Sequence, residues 1–590
     1  MTLSTLSPAP APATPGLRAR LTARLPGSDF LLIWGVTLAL VVLVALPLVA
    51  MLLHLAFPRL YLGDFSLGDF QLFRDLWERR LWRTSVTNSL LLASGTMLLG
   101  TLIGAGLAWM RQNYRFPSAG LIDFAAWFVL VMPSFIIAQG WVLFSRGSGT
   151  AAQLGMPWVG DFVFSLPGLV TVMALTNFPL AYLATSAALQ WDVTRYEQAA
   201  RLCGASPWQT LWRVRLPLLV PALLSAAILV FVDSIGDFGL PAAFLSVFSF
   251  PLIPYNIRAE VATVPVSFEG AAVLAFVLVS LVGAAIALQL RVLRRGGKDF
   301  LNASAAPRQR PRPRFWPLLT AFNLTFLTLA IFAPLGTSLS VSFMERYSQG
   351  LAWHNLTLDN YVAVLSSGSA LLPALRNSFS IAFTAAGISL VVGFLAAYLL
   401  AFSSNGMKRF IDVASTVTLA VPGIVLAVGY IFMWNQRWLA DLGIQVYGSP
   451  WAIILCSAAS SVPIAVRVML GAMSQTPGSF MASAALQGAG LLTRLRTILM
   501  PLVLAGVLSA TLAVFATSVF DLAITIMLQP PGYPTIPVII DEAFRTVEYG
   551  WATAATVIVC SLTAVIIVLA RWSVRRLFAS YFPNTEGNVS

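Results

Sequence analysis

Long apolar runs separated by short polar segments occupy most of the sequence. Each run reaches about 20 residues or more, the length that an α-helix needs to cross a bilayer, whereas strands of a membrane barrel need ~10 residues of alternating character. The runs predict twelve spanning helices, near residues 30–57, 86–110, 121–144, 163–190, 216–236, 270–290, 316–343, 377–402, 411–434, 451–473, 500–528 and 552–574. The predicted fold class is therefore all-α and integral to a membrane, with twelve transmembrane helices as two tandem six-helix repeats.

The two sets of helices carry the same polar and proline positions. At a separation of 289 residues, Asn88-Ser89 matches Asn377-Ser378, Leu121 to Asp123 matches Phe410 to Asp412, and Pro133 matches Pro422. At a separation of 284 residues, Pro179 matches Pro463, Pro217 matches Pro501, and Asp237 matches Asp521. Similar hydrophobicity alone does not explain matched Asn, Asp and Pro, so the two sets are predicted to be repeats. Because each has an even number of helices, both run in the same direction through the membrane.

Composition and charge agree with a membrane location. Hydrophobic residues make up 58% of the chain and charged residues 10%, and the mean hydropathy is +0.82. A soluble protein cannot bury that much apolar surface. The formal charge of +13 resembles a nucleic-acid-binding signal, but arginines that hold loops on the cytoplasmic side give the same total. The expected partner surface is thus a lipid bilayer, with no nucleic acid.

Cysteine and histidine are too few to support a disulfide framework or a histidine-based site. Cys203 lies in a polar segment, and Cys456 and Cys560 lie in apolar runs, so no pairing is suggested. His54 and His354 are the only histidines, and they are far apart in sequence. We therefore expect neither a histidine metal cage nor a catalytic triad.

The arginine distribution predicts the orientation of the chain. With the N-terminus inside, most arginines fall in inside loops, which makes both termini cytoplasmic. The loop after the first helix is an exception, because it places five arginines outside, together with four acidic residues. That loop is predicted to be an amphipathic surface segment.

Polar segments at both ends and in the middle delimit the repeats. We predict a disordered cytoplasmic tail at 1–28, a first repeat at 29–292, a basic, Pro-rich cytoplasmic linker at 293–314, a second repeat at 315–580 and a C-terminal tail at 581–590. Asn88 and Asn377 are expected to be helix N-caps. Pro133, Pro179, Pro422 and Pro463 lie inside apolar runs and are predicted to kink helices around a pathway.

A polar island interrupts the apolar runs at 198–217, reading QAARLCGASPWQTLWRVRLP. Gly204 is a helix-stop signal and Ser206-Pro207 a helix-start signal, so the island predicts two short helices with a sharp bend, ending at Pro217. The island resembles the cytoplasmic coupling loop of ABC-importer permeases, whose pattern is Glu-Ala-Ala, three residues, Gly, nine residues, an apolar residue, any residue and Leu-Pro. The matching positions are Gln198, Ala199, Ala200, Gly204, Val214, Leu216 and Pro217, with Gln in place of the family's Glu and Glu197 one place earlier.

A second island reads ASAALQGAGLLTRLRTILMP from Ala482 to Pro501. Gly488 and Pro501 keep the family spacing, whereas Ala482 stands where the family has Glu and Met500 replaces Leu. The two coupling loops are therefore predicted to be unequal.

The resemblance implies that each island docks a cytoplasmic ATPase. The coupling residues are then Glu197, Gln198, Ala199, Ala200, Arg201, Gly204, Trp208 and Pro217 in the first island, with Trp208 and Trp212 as apolar anchors, and Ala482, Gly488, Gly490, Arg494 and Pro501 in the second. No stretch fits the phosphate-binding pattern G-x-x-x-x-G-K-[ST], so the chain is predicted not to be an enzyme and to hold no cofactor. The resemblance implies two copies of a partner ATPase that binds ATP and Mg, a periplasmic substrate-binding protein, and a multi-pass location in the bacterial inner membrane.

The segments after the fifth helix of each set indicate which branch of the permease family the chain resembles. DSIGDFG at 233–239 and DLAITIMLQPPGYPTIP at 521–537 are similar to ferric-iron-type permeases, although thiamine, polyamine and aminoethylphosphonate permeases share much of this outline. Asp237 and Asp521 each lie twenty residues beyond a coupling-loop proline, ~30 Å along a helix, which predicts the outer membrane face. With Asp233 one turn earlier, they are candidates for a hard-cation pathway. Capping of helix ends or contact with the delivery protein is the preferred interpretation, and no firm metal site is predicted.

Two other classes of protein fit parts of the sequence. A secondary transporter also often has twelve helices, but it needs ionisable groups at mid-membrane, where Arg467 is the main exception to an otherwise uncharged set of helix centres. A multi-pass membrane enzyme would need acids or histidines clustered at one interface. An importer permease with ferric iron as its first-choice substrate is the prediction that the sequence favours.

Overall fold

The computed structural model describes residues 27–57, 60, 66–67, 71–189, 194–296, 310–403, 406–419 and 421–581. Most of the predicted tails at 1–28 and 581–590 and the centre of the predicted linker at 293–314 lie outside these residues. The described chain is helical, with a single isolated β-bridge and no strand.

The first repeat consists of the helices α1 Phe30–Ala56, α2 Gln71–Glu78, α3 Arg80–Asn113, α4 Ala119–Val131, α5 Ser134–Ser145, α6 Thr150–Gln153, α7 Trp158–Val163, α8 Leu166–Leu189, α9 Thr194–Leu202, α10 Trp208–Gly236, α11 Gly239–Phe244, α12 Ile253–Ala262 and α13 Phe268–Gly296. The second repeat consists of α14 Trp316–Ser342, α15 Asp359–Leu365, α16 Leu371–Phe402, α17 Lys408–Leu419, α18 Gly423–Trp434, α19 Arg437–Asp441, α20 Pro450–Met473, α21 Gly478–Leu486, α22 Leu491–Val519, α23 Leu522–Leu528, α24 Ile536–Arg545 and α25 Tyr549–Tyr581.

Ten of these helices are long and apolar enough to cross a membrane, and two bent pairs bring the number to twelve if each pair is one span. The spans predicted at 121–144 and 411–434 are not single helices. Each is broken, with bends of 105° and 113°, at Pro133 and Pro422. A proline has no N–H and disfavours helical geometry in the residue before it, so both breaks fall where the chain reaches the proline. Pro179 and Pro463, by contrast, remain inside continuous helices.

Four prolines sit two residues beyond a widened π turn. The turns are Val41–Ala45, Leu211–Arg215, Thr328–Phe332 and Arg494–Leu499, and the prolines are Pro47, Pro217, Pro334 and Pro501. A π turn shifts the backbone hydrogen bonds by one residue, so the helix can continue past a residue that lacks a donor. The sequence predicted that the second short helix of the first polar island ends at Pro217. This is wrong, because one helix runs from Trp208 through Pro217 to Gly236.

The first helix of each repeat packs against the opposite repeat. α1 lies along α18, and α14 lies along α5. At these contacts Gly429 faces the backbone of Pro47, and Gly140 faces the backbone of Pro334. Tyr430 also donates to the carbonyl of Leu43 at 2.9 Å. The sequence repeats at 29–292 and 315–580 are thus interlocked in space.

Asn88 and Asn377 are not N-caps, because both lie inside helices. Their side-chain amides donate to the carbonyls of Pro251 and Pro534, at 3.1 and 2.9 Å. The next residues accept the backbone N–H groups that begin α12 and α24: Ile253 donates to Ser89 at 3.0 Å, and Ile536 donates to Ser378 at 2.8 Å. Each Asn-Ser pair therefore fastens a short helix to a long helix of its own repeat, α3 or α16.

The predicted amphipathic surface segment is confirmed at α2. Two of its arginines pair with acids one turn away, Arg74 with Glu78 and Arg79 with Asp75, both at 2.9 Å. Trp77 is 63% exposed on the same short helix. These pairs neutralise part of the charge that makes this loop an exception to the arginine distribution.

Replacing Val547 with glycine is expected to stabilise the protein. Val547 has φ +70, and the turn after α24 closes through a hydrogen bond from Glu548 N to Ala543 O at 2.9 Å, the arrangement in which glycine normally ends a helix. A β-branched residue is strained there, and its side chain is largely exposed, so Val547→Gly should raise the free energy of unfolding by about 1 kcal/mol. Thermal unfolding in detergent measures the change. Val547→Ala keeps a Cβ atom and should gain less; a lower melting temperature for the glycine variant would contradict the prediction.

Candidate coupling site and transport pathway

The first polar island forms a bent lever, defined here as residues 194–210. α9 ends through hydrogen bonds from Gly204 N to Arg201 O and from Ala205 N to Ala200 O, both 3.0 Å. Gly204 has φ +85, so the stop signal lies where only glycine fits without strain. Ser206 and Gln209 then cap each other's backbone N–H groups at 2.9 and 3.2 Å, which starts the next helix.

The second lever, residues 478–493, repeats this turn with a weaker restart. Gly488 has φ +81, and Gly488 N and Ala489 N donate to Ala485 O and Ala484 O, both at 3.0 Å. Gly490 precedes the next helix and has no side chain to cap it. The bend is therefore common to both repeats, whereas the capping pair is present only in the first lever.

Apolar side chains are exposed at equivalent positions of the two levers. At a separation of 284 residues, Tyr196 and Phe480 are 59% and 51% exposed, Leu202 and Leu486 are 88% and 90% exposed, and Trp208 and Leu492 are 66% and 78% exposed. Of these six residues, only Trp208 was predicted from the sequence. The signal that could have found the others was the repeat itself, since apolar residues recur in segments that are otherwise polar.

Most of the predicted coupling residues are exposed. Ala199, Arg201, Gly204, Trp208, Pro217, Ala482, Gly488 and Gly490 are exposed, and Ala200, Arg494 and Pro501 are half-buried. Glu197 is buried, and the side chain of Gln198 lies outside the described part.

Both levers lie at the same end of the bundle. Arg215, two turns into α10 beside the first lever, donates to Asn113, the last residue of α3, at 3.0 Å. The chain returns to this end at Pro311, whose carbonyl accepts a hydrogen bond from Arg115 in the loop after α3. From there α14 crosses to the opposite end of the bundle, and α16 crosses back. Arg467, late in α20, pairs with Asp412, just beyond α16, at 3.0 Å. The second lever follows α20 and therefore lies at this end too.

A cavity of about 600 Å³ lies between the two repeats, beside the broken helices. Its polar lining residues are Ser134, Thr176, Asn177, Asp233, Asp237, Gln289, Thr416, Thr418 and Ser460. A second space of about 280 Å³ contains both Asp237 and Asp521. Among the described residues that line these spaces there is no basic side chain.

Two of the three predicted pathway acids cap short helices. Asp237 accepts hydrogen bonds from Ser134 Oγ at 3.0 Å and from Gly239 N at 2.8 Å, at the start of α11. Asp521 accepts from Ile524 N at 2.9 Å, at the start of α23. Within the described chain, Asp233 has neither a hydrogen bond nor an ion pair, and it lines the larger cavity.

These acids lie deeper than the outer face that the sequence predicts. Asn177, near the middle of α8, donates to Ser234 at 2.9 Å, which places the neighbouring Asp233 and Asp237 near the middle of the bundle. Counting twenty residues along the helix from Pro217 predicted the outer face, because that count assumed that α10 reaches the membrane surface. The chain instead continues outward beyond Asp237 as α11 and α12.

Ion pairs tie the first piece of each broken helix to its repeat. Asp123 on α4 pairs with Arg111 at 2.8 Å and accepts a hydrogen bond from Tyr182. The equivalent Asp412 on α17 pairs with Arg467. Arg467, the possible mid-membrane charge in the sequence, is thus paired with Asp412 at the end of the bundle where the levers lie.

Two interlocked repeats around a central cavity, each with an exposed lever at the same end, define the membrane component of a transport system. The family model described as binding-protein-dependent transport system inner membrane component matches the chain twice, at residues 97–296 and 369–579. The chain belongs to this family, and it carries both copies of the family's membrane domain in one polypeptide. Members of this family are multi-pass inner-membrane permease components.

Several known permeases are similar to this chain, two of them over most of its length. The ferric transport system permease protein FbpB of Actinobacillus pleuropneumoniae is 23% identical over 499 residues, covering 83% of this chain and 71% of that protein. A probable ABC transporter permease, y4fN, of Sinorhizobium fredii is 24% identical over 520 residues, covering 85% and 90%. The molybdenum transport system permease protein ModB of Escherichia coli is 30% identical over 182 residues, covering 31% and 76%.

Proposed function

We propose that this chain is the permease subunit of an ATP-driven importer that moves ferric iron into the cytoplasm. A periplasmic binding protein delivers the iron, and two copies of a cytoplasmic ATPase, holding ATP and Mg, dock on the two levers. The lever end of the bundle is then the cytoplasmic side, with both termini inside. ATP-driven closure of the ATPase pair moves the levers and rocks the repeats, so that the central cavity opens to each side in turn.

The observation that carries the docking proposal is the matched set of exposed apolar residues on the levers. Leu202 and Leu486 are almost fully exposed, although burial of a leucine is worth about 2 kcal/mol. Apolar and aromatic residues at such positions are typical anchors of protein interfaces. Their recurrence in both repeats fits two identical partners related by the same rotation as the repeats.

The cavity supports a cation as the substrate. Asp233 and Asp237 line it together with hydroxyl and amide groups, and oxygen ligands suit a hard cation such as ferric iron. An oxyanion such as sulfate would meet carboxylates and no basic group among the described lining residues. The ferric transport relatives agree with this choice, whereas thiamine and polyamines, which are also cations, are the alternatives for the experiment to separate.

Reconstitution tests the proposal directly. In vesicles that contain the permease and its ATPase, adding the iron-loaded binding protein outside should stimulate ATP hydrolysis and drive uptake of radioactive iron. Binding protein loaded with thiamine or a polyamine should do neither. Uptake driven by an ion gradient in the absence of ATP would instead support a secondary transporter and contradict the proposal.

Asp233→Asn tests whether the unpartnered carboxylate contacts the cargo. We expect iron uptake to fall about tenfold because the cavity loses a charge that attracts the cation, while stimulation of ATP hydrolysis is retained. Thr517 occupies the equivalent position of the second repeat, and Thr517→Ala is the matched control that should leave uptake unchanged. Normal uptake by the Asp233 variant would remove this residue from the pathway.

A further inference from the structure

A buried ion pair joins the first lever to the membrane helices. Glu197 on α9 lies 3.4 Å from Arg215 Nε at the base of α10, and each side chain is only 10% exposed. Arg215 Nη1 also donates to Asn113 Oδ1 at 3.0 Å. A continuous set of polar contacts therefore runs from the lever, through α10, to the inner end of α3.

The second lever has apolar residues at the equivalent positions. At the separation of 284 residues, Met481 replaces Glu197 and Leu499 replaces Arg215, and these side chains are 4% and 0% exposed within one apolar cluster. At the separation of 289 residues that applies earlier in the repeat, Phe402 takes the position of Asn113, and it packs against the same cluster. The two levers are thus held to their repeats by different kinds of contact.

The ion pair of the first lever and the apolar contacts of the second respond differently when a bound ATPase moves the lever. Apolar contact is non-directional, so Met481 and Leu499 can shift within the cluster while both stay buried. A buried ion pair has fixed donor and acceptor geometry, and separating it leaves charges unpaired in a low-dielectric interior, which is strongly unfavourable. The first lever is therefore held rigidly to α3 and α10, and the second is held more loosely.

We propose that Glu197 and Arg215 are positioning residues that make the first lever the main transmission element, so that the two ATPase docking sites contribute unequally to transport. This inference rests on the proposed docking of an ATPase at both levers. Movement of the ATPase on the first lever reaches α3 and α10 without slippage. Movement on the second lever is transmitted in part and dissipated in part by shifts within the apolar cluster.

The variant that tests this inference copies the second lever into the first. Glu197→Met with Arg215→Leu replaces the ion pair by the apolar pair of the other repeat, a change that buried ion pairs often tolerate without loss of stability. The amount of ATPase bound per permease should stay the same. Stimulation of ATP hydrolysis by the loaded binding protein should fall at least fivefold, with the KM for ATP unchanged. Met481→Leu with Leu499→Met is the matched control and should keep full stimulation.

A charge-reversed pair, Glu197→Arg with Arg215→Glu, provides the rescue, since it restores an ion pair at the same place. We expect it to recover at least half of the stimulation. Full stimulation in the apolar double variant overturns the inference and leaves docking intact. If that variant does not fold, the charge-reversed pair decides: coupling supports the inference, and loss of coupling in a folded protein overturns it. Failure of the unaltered permease to bind the ATPase would overturn the proposed function instead.

Discussion

Gly204→Val will prevent the loaded binding protein from stimulating ATP hydrolysis and will leave the membrane bundle folded. Gly204 has φ +85, and a Cβ atom added there would meet nothing within 4 Å, so the cost is confined to the backbone. A β-branched residue with positive φ costs about 2 kcal/mol or more, which is enough to rearrange the end of α9. Leu202 and Trp208 would then no longer hold the spacing that the partner surface requires.

The expected result is a loss of at least tenfold in ATP hydrolysis stimulated by the loaded binding protein, with a melting temperature close to that of the unaltered protein. Gly488→Val should distort the second lever in the same way, because its φ is +81 and its surroundings are also open. The loss of stimulation should be smaller there, because the second lever is the weaker transmission element. Gly478→Val is the control: Gly478 begins α21, its φ is not positive and it has no neighbour within 4 Å of an added Cβ, so valine fits without strain. A Gly204 variant with full stimulation would show that the bend is not part of the coupling.

Gly140→Val and Gly429→Val will each destabilise the interlocked repeats. A Cβ atom on Gly140 would lie 2.3 Å from the carbonyl oxygen of Pro334, and one on Gly429 would lie 2.7 Å from that of Pro47. The neighbour is backbone in both cases, so the first helix has to move away from the opposite repeat. Overpacking of this kind costs about 1–3 kcal/mol, and the full valine side chain places the cost at the upper end.

The melting temperature and the yield of monodisperse protein in detergent measure this effect. Gly106→Val and Gly387→Val are suitable controls, because both glycines lie in long membrane helices and have no neighbour within 4 Å of an added Cβ. We expect the controls to match the unaltered protein and both contact variants to melt earlier. Unchanged melting of the Gly140 and Gly429 variants would mean that the first helices are not packed as described.

Local turn chemistry made the levers predictable from sequence. Glycine is the residue that ends a helix with positive φ, and Gly204 and Gly488 both do so, while Ser206 forms the expected cap with Gln209. The matched Asn, Asp and Pro positions predicted the repeat for a similar reason, since residues with special backbone or polar roles are hard to replace.

The packing partner of each helix and the depth of the acidic residues in the membrane were not predictable, because apolar periodicity does not say which surface a helix contacts. The run that forms α1 has the same character whether it packs on its own repeat or on α18. Pro133 and Pro179 both lie in apolar runs, yet only the first marks a break, where Ser134 bonds to Asp237 from another helix. Asn88 was mistaken for a cap because its true partner, the Pro251 carbonyl, is distant in sequence.

The interlocking of the repeats sets an order of events during synthesis. His54 at the end of α1 contacts Gln436, which is 382 positions further along the chain. A ribosome adding about 5–20 residues per second needs roughly 20–80 s to make that stretch. Until then the inward face of α1 can be solvated by lipid tails, which are as apolar as its side chains. During synthesis α1 is therefore in the bilayer before α18 has been made. A pause or truncation before Gln436 leaves α1 without the helix against which it packs in the folded protein.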